Sequence, residues 1–312
     1  MRDEVAIGID VGGTKVAIGL VAATGRVIAS ERLDVKAAES FESLLASIVD
    51  RAGAAQEASS STPAVGVGVG MPELVDRDGR VRTHCTFPWT TAQLEEALAP
   101  VGRVLVLPDV RAGALAEARW GAGREWDSFV YLSIGTGISH ALVDQGQPRA
   151  GARGAAQLIG SARVYTPCGD SERLRLAPPL EDYASGPAIA QRFAERAGRS
   201  VTQAEEVFDA AAAGDAVAED LVRSSAEAVG SWAGLLVNVF DPHGVILGGG
   251  LGLASGSYGT TLEAVMRRTI WAVQAKSLPI RPARFHAQAG LVGAALAALG
   301  EADERSVSRK EP

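Results

Sequence analysis

The chain has 312 residues, a formal net charge of -7, and 47% hydrophobic against 21% charged residues. That is the balance of a water-soluble globular protein with room for two domains. An acidic excess without a basic patch excludes the footprint of a nucleic-acid binder, and no apolar run nears the roughly 20 residues that span a bilayer. Cys85 and Cys168 are the only cysteines, too few for a disulfide framework, so a reducing cytoplasm is the expected location. The chain enters its first strand directly after Met-Arg-Asp-Glu, and neither a signal peptide nor an upstream DNA-binding domain is expected.

In chain order, Val5–Ile9 is a short apolar, β-branched run with the look of a strand buried on both faces. Asp10-Val-Gly-Gly-Thr-Lys15 follows, and Val16–Val21 is apolar again, which makes a strand–turn–strand hairpin. Gly12-Gly13 is expected to supply positive φ and bare N–H groups to an anionic oxygen, with the Thr14 hydroxyl and the Lys15 charge at the same edge. The bland alternative is a tight turn capped by Asp10. Neither a Walker A loop nor a dinucleotide fingerprint fits, because both need a helix after the glycines. Arg26–Val35 reads as a third strand and Phe41–Ala58 as a helix, with Phe41, Leu44, Leu45, Ile48 and Val49 on one stripe. Strands at Ala64–Val69 and Val104–Leu107 and helices at Thr91–Leu98 and Ala112–Trp120 complete a mixed α/β unit.

The pattern then restarts. Ser128–Ile134 is a strand, Gly135-Thr136-Gly137 a second glycine turn and Ile138–Val143 the returning strand. Beyond it the chain reads as largely helical: Gly186–Ala197, Thr202–Ala213, Ala216–Phe240 and Thr260–Val273. Val245-Ile-Leu247 is a strand that ends in a third turn, Gly248-Gly249-Gly250, and Gly290–Leu299 is a small-residue helix suited to close packing. The charged tail from 301 to 312 is expected to be disordered.

Asp10-Val-Gly-Gly-Thr-Lys15, Asp109 followed by Ala112–Gly123, Leu132-Ser-Ile-Gly-Thr-Gly137 and Asp241-Pro-His-Gly-Val-Ile-Leu-Gly-Gly-Gly250 stand in one order. In that order they resemble the ROK family of sugar kinases and repressors, from Ile7 to about Leu299. The resemblance implies a two-domain actin-like ATPase (ribonuclease H-like) fold, with mixed sheets, flanking helices and an interdomain cleft. It implies an N-terminal domain over 1–120, a C-terminal domain over 121–300 whose last helix can pack back on the first domain, and a tail over 301–312. It implies ATP and Mg²⁺ as cofactors and Asp109 as the base that accepts a sugar hydroxyl's proton. A helix N-cap is the other reading of Asp109. By the same resemblance Asp10 holds Mg²⁺ or its water, Gly12, Gly13, Thr14 and Lys15 cradle phosphates, and Gly135, Thr136 and Gly137 face them. Gly248, Gly249 and Gly250 then admit the nucleotide. A homodimer is implied as well.

The acceptor side departs from the family. Pro108 stands where the family has Asn before its catalytic Asp, Leu158 where it has a sugar-binding Glu, and Ser161 where it has a His that binds sugar and zinc. Of the zinc run only Cys168 remains, and one thiolate does not make a tetrahedral site, so no zinc is expected. Glu181, within Leu180-Glu-Asp-Tyr-Ala-Ser-Gly186, matches a family segment and is an acceptor candidate, with a helix-start carboxylate as its alternative. Gln157, Ser161, His84 and Arg111 are further acceptor candidates, and Thr86 or Cys85 occupies the place of a sugar-contacting Asn. The expected activity is phosphorylation of a hydroxyl, at C6, of a hexose-like sugar. A rebuilt acceptor site suits an amino-hexose such as kanosamine or glucosamine, or a C7 cyclitol. The competing expectation is a sugar- and nucleotide-binding sensor with weak turnover.

Overall fold

The computed structural model describes residues 4–58, 63–156, 158–168 and 171–308. Strands β1 (Val5–Val11), β2 (Lys15–Ala22) and β3 (Val27–Asp34) lead into α1 (Phe41–Ala58), β4 (Val67–Met71), α2 (Thr91–Leu98), β5 (Val104–Pro108) and α3 (Asp109–Arg119). Next come β6 (Ser128–Ile134), β7 (Ile138–Asp144), β8 (Gln147–Pro148), β9 (Tyr165–Cys168) and β10 (Ser171–Leu176). Helices α4 (Leu180–Ala184), α5 (Gly186–Ala197), α6 (Ala204–Ala212) and α7 (Ala216–Phe240) precede β11 (Val245–Gly248). The chain closes with α8 (Gly249–Gly252), α9 (Ser257–Thr269), β12 (Ile280–Pro282) and α10 (Ala289–Ser308). It divides into two compact units, one of residues 1–128, 141–156 and 283–312, the other of 129–140 and 157–282.

The first unit is built on a sheet of order β3-β2-β1-β4-β5. Strands β1, β2 and β3 are antiparallel, whereas β1, β4 and β5 run parallel. Strand alternation assigns the two faces. Ile7, Ile9, Val67 and Val69 point to one core, where α1 supplies Leu44, Ile48 and Ala52 and α2 supplies Leu94 and Leu98. On the other face α10 lies directly on the strands with Leu291, Val292 and Ala295. Gly8 and Gly68 are paired in register beneath it. A Cβ added at Gly8 would fall 2.1 Å from Leu291 O, and one at Gly68 only 1.8 Å from Ala294 O. The close packing expected of the small-residue helix is therefore backbone against backbone. That helix runs on to Ser308, across most of the segment expected to be disordered.

The second unit carries a sheet of order β12-β11-β6-β7-β8, with β6, β11 and β12 parallel. The boundary between the units falls within β7, so that β8 belongs to the first. Its long helix α7 starts where Asp215 caps it, accepting from Val217 N at 3.0 Å and Ala218 N at 3.1 Å, and buries a stripe from Ala218 to Val237. The antiparallel β9–β10 hairpin was not expected in a stretch that reads as largely helical. Tyr165 and Leu174 stand largely exposed there, so no buried alternation marks these strands in the sequence.

Candidate active site

In the first unit the parallel strands β1, β4 and β5 all end on one edge of the sheet, the edge at which parallel α/β sheets place their ligands. Asp10 lies near the end of β1 and Asp109 directly follows β5, with Gly70 of β4 between them. A Cβ at Gly70 would sit 3.7 Å from Asp10 Oδ1 and 3.6 Å from Asp109 Cα. Helix α3 begins at Asp109 itself, and the cap position is Pro108, so the N-cap alternative for Asp109 is not the geometry found. Asp109 Oδ1 accepts from Val110 N at 2.6 Å. Asp10 is half-buried, with its carboxylate against the first turn of α10: a Cβ at Gly290 would fall 2.4 Å from its Cγ. Its carboxylate accepts no hydrogen bond among the described residues. Burial pushes this carboxyl up to about 6.

The turn after β1 is closed by Gly12 N donating to Lys15 O at 3.0 Å, and Thr14 O accepts from Val35 N at 3.0 Å. Gly13, Thr14 and Lys15 are exposed. The N–H groups of Gly13 and Thr14 make no hydrogen bond among the described residues, which leaves two donors for an anion. The expectation of positive φ at Gly12 and Gly13 is corrected, since neither has it. What glycine provides at Gly13 is access: the nearest atom to an added Cβ is Thr86 Cγ2, at 3.9 Å.

That neighbour belongs to a loop organised by Glu73, a residue that sequence reasoning missed. Glu73 follows β4 and is 3% exposed. Its Oε2 accepts from Thr83 Oγ1 at 2.6 Å and Cys85 N at 2.9 Å, and its Oε1 from Thr86 N at 2.6 Å and Phe87 N at 3.0 Å. Burial raises its pKa, but these four hydrogen bonds outweigh burial and hold the carboxyl below its ordinary value. Phe87 and Trp89 anchor the far end of the loop, stacked at 4.8 Å between ring centroids. His84, Cys85 and Thr86 remain exposed at its crest.

The second unit carries the other two glycine turns. Gly135 N donates to Gly137 O at 2.9 Å, and Gly135 O accepts from Gly186 N at 2.9 Å, so the first turn of α5 holds this one. Glu181 of α4 braces it too, its Oε2 accepting from Ile138 N at 2.8 Å. A Cβ at Gly137 would come within 2.6 Å of that same oxygen. Gly249 adopts φ 77° at the start of α8, while Gly248 packs on Tyr131, whose hydroxyl would lie 2.5 Å from an added Cβ. A Cβ added at Gly250 would meet nothing within 4 Å, and one added at Gly135 would sit 3.7 Å from Gly250 N. The Gly135 turn and Gly250 are thus neighbours in the second unit.

The described acceptor candidates are divided between the two units, His84 and Arg111 in the first and Ser161 and Glu181 in the second. Glu181 N donates to Gly160 O at 2.9 Å, so exposed Ser161 is adjacent to Glu181 in the second unit. Leu158 is exposed, and Gln157 and the side chain of Cys168 lie outside the described residues. Arg111 is buried and turned inward, its Nη2 donating to Val75 O at 2.5 Å. Burial lowers its pKa to about 10, with Asp76 opposing that shift. His84 belongs to the exposed loop crest.

The model of the ROK family matches residues 6–301 of this chain. The chain is 31% identical to a glucokinase of Thermotoga maritima over 270 residues, 80% of this chain and 82% of that one. It is 32% identical to a kanosamine kinase of Amycolatopsis mediterranei over 308 residues, 96% of this chain and 97% of the relative. Its fold is similar to the crystal structure of a ROK family glucokinase from Streptomyces griseus in complex with glucose and AMPPNP. That similarity has a TM-score of 0.76 at 27% identity, and covers 95% of this chain and 99% of the other.

Proposed function

The chain belongs to the ROK family, matched over residues 6–301, and from that premise we propose that it is an ATP-dependent sugar kinase acting on a hexose. The finer reading is transfer to the C6 hydroxyl of an amino-hexose such as kanosamine or glucosamine, with Asp109 as general base. The pairing of Asp109 with Asp10 around Gly70, next to a turn with unspent N–H donors, carries this reading. Substituted Pro108, Leu158 and Ser161 support an acceptor other than plain glucose, as does the likeness to a kanosamine kinase across 97% of its length.

MgATP supplies an electrophilic γ-phosphorus and the cation that offsets its charge. The residues present fit it. Asp10 offers a carboxylate with no hydrogen-bond partner among the described residues, in a setting that penalises its charge unless a cation or its water is near. Gly13 and Thr14 present N–H donors, and Lys15 a positive charge. Thr136 is exposed between Gly135 and Gly137, and an added Cβ at Gly250 meets open space, which supports room for phosphate oxygens there. Asp109 would orient the attacking hydroxyl and take its proton as that oxygen bonds to the γ-phosphorus and the bond from the γ-phosphorus to the bridging oxygen breaks, releasing ADP. Catalysis of this kind is mainly positioning and charge compensation.

A cytoplasmic homodimer completes the reading. Val239, Trp271 and Val273 are 64%, 87% and 76% exposed, and Asn238 ties their segments together through Thr269 O at 3.0 Å and Trp271 N at 2.9 Å. Such an apolar patch suits a second copy of the chain, and sedimentation as a monomer at micromolar concentration would rule the dimer out. The kinase reading is tested by acceptor-dependent ADP release from MgATP over a panel of hexoses, amino-hexoses and cyclitols. Ligand-induced thermal stabilisation without turnover on any of them would point to a sensor instead.

A further inference from the structure

We infer that Glu73 is a positioning residue for acceptor specificity, holding the loop crest His84-Cys85-Thr86 beside the Gly13 turn. The inference rests on the sugar-kinase reading of that turn. A carboxylate buried to 3% exposure spends both oxygens on a single loop, each accepting from two donors. Three of those donors are consecutive backbone N–H groups, of Cys85, Thr86 and Phe87. They fix the path of the chain and not merely one side chain.

The consequence is directional. With the amides of Cys85, Thr86 and Phe87 turned inward to Glu73, the side chains of His84, Cys85 and Thr86 are exposed, whereas Phe87 and Trp89 are buried. Thr86 Cγ2 is the nearest atom to a Cβ placed on Gly13, at 3.9 Å. The crest therefore stands against the turn of Gly13 and Thr14, whose N–H groups make no hydrogen bond among the described residues. A group on that crest meets the acceptor beside the phosphoryl group it receives. Polar contacts there discriminate among hydroxyl and amino patterns, because a mismatched sugar leaves them unpaired. Glu73 touches neither substrate in this arrangement and acts through the loop.

Glu73→Gln and Thr83→Val separate this role from general stability. In Glu73→Gln one oxygen becomes an NH₂ group facing two donors, which releases the crest. Thr83→Val removes the hydroxyl that donates to Glu73 and accepts from Leu74 N, and keeps the carboxylate and its three amides. Sugar affinity is read by calorimetry and turnover by ADP release, on full-length proteins whose melting is recorded. For Glu73→Gln the Kd and KM for the preferred sugar should rise about tenfold, the loss of one charge-assisted hydrogen bond. Its KM for MgATP should stay within about twofold, and its preference among hexoses should flatten. Thr83→Val should shift in the same direction by a smaller factor. A folded Glu73→Gln protein with wild-type sugar affinity and selectivity, or with equal rises in both KM values, overturns the inference. If Glu73→Gln does not fold, Thr83→Val decides, and an unchanged sugar Kd there overturns it. A wild-type protein that binds sugar without phosphorylating it sinks the kinase reading, and the Kd ratios then still judge Glu73. No hexose binding at all sinks both.

Discussion

Asp10 is a carboxylate in a place that resists its charge, with its folded-state pKa raised to about 6 from 3.8. Between those values the folded protein keeps a proton that the unfolded chain releases, so stability from this group falls as pH rises through the window and stays low above 6. Asp10→Asn should therefore melt higher than the wild type at pH 7.5 without metal, and the difference should vanish near pH 4. Mg²⁺ should raise the wild-type melting temperature and leave the variant unmoved. A variant that melts lower at pH 7.5, or that responds equally to Mg²⁺, contradicts a metal role for Asp10. Asp10 was legible because it stands in a short motif after a buried strand. Glu73 was not, since three of its four partners are backbone amides 12, 13 and 14 residues away, and amides leave no mark in a sequence.

At the scale of elements, α4 and α10 set the glycine surfaces. Glu181 was read as an acceptor candidate, yet its carboxylate accepts from Ile138 N and lies where a Gly137 Cβ would sit. Glu181→Ala leaves that amide unpaired, which costs about 1–3 kcal/mol where the group is buried. The expected outcome is a KM for MgATP raised about tenfold with little change for the sugar. The opposite split, a sugar effect alone, restores the acceptor assignment. Helix α10 rests on Gly68 so closely that Gly68→Ala forces the backbones apart, at a cost of about 3 kcal/mol. Gly53, in α1 with nothing within 4 Å, is the control, and Gly53→Ala should gain about 0.5–1 kcal/mol. Denaturant unfolding checks both, and a harmless Gly68→Ala would show that the contact relaxes freely. Helix α7 was readable to its ends because its apolar period is long and Asp215 caps it. The β9–β10 hairpin was hidden because its apolar residues Tyr165, Leu174 and Leu176 stand exposed and give no buried period to read.

Across the whole molecule, both units repeat one device, an antiparallel or returning strand pair joined by a glycine turn with open backbone. The fold was legible because that device recurs with its flanking residues in order. The acceptor was less so, since Arg111 turned out to be engaged by Val75 O while the loop from Glu73 to Trp89 holds the exposed polar groups. The most direct test is acceptor-dependent ADP release from MgATP by the wild type and by Asp109→Asn, over hexoses and amino-hexoses. A kinase with Asp109 as its base turns over in the wild type and loses at least about 100-fold in kcat in the variant, while melting and sugar binding are kept. Near-normal turnover by Asp109→Asn, or no acceptor-dependent ADP release from the wild type, contradicts it.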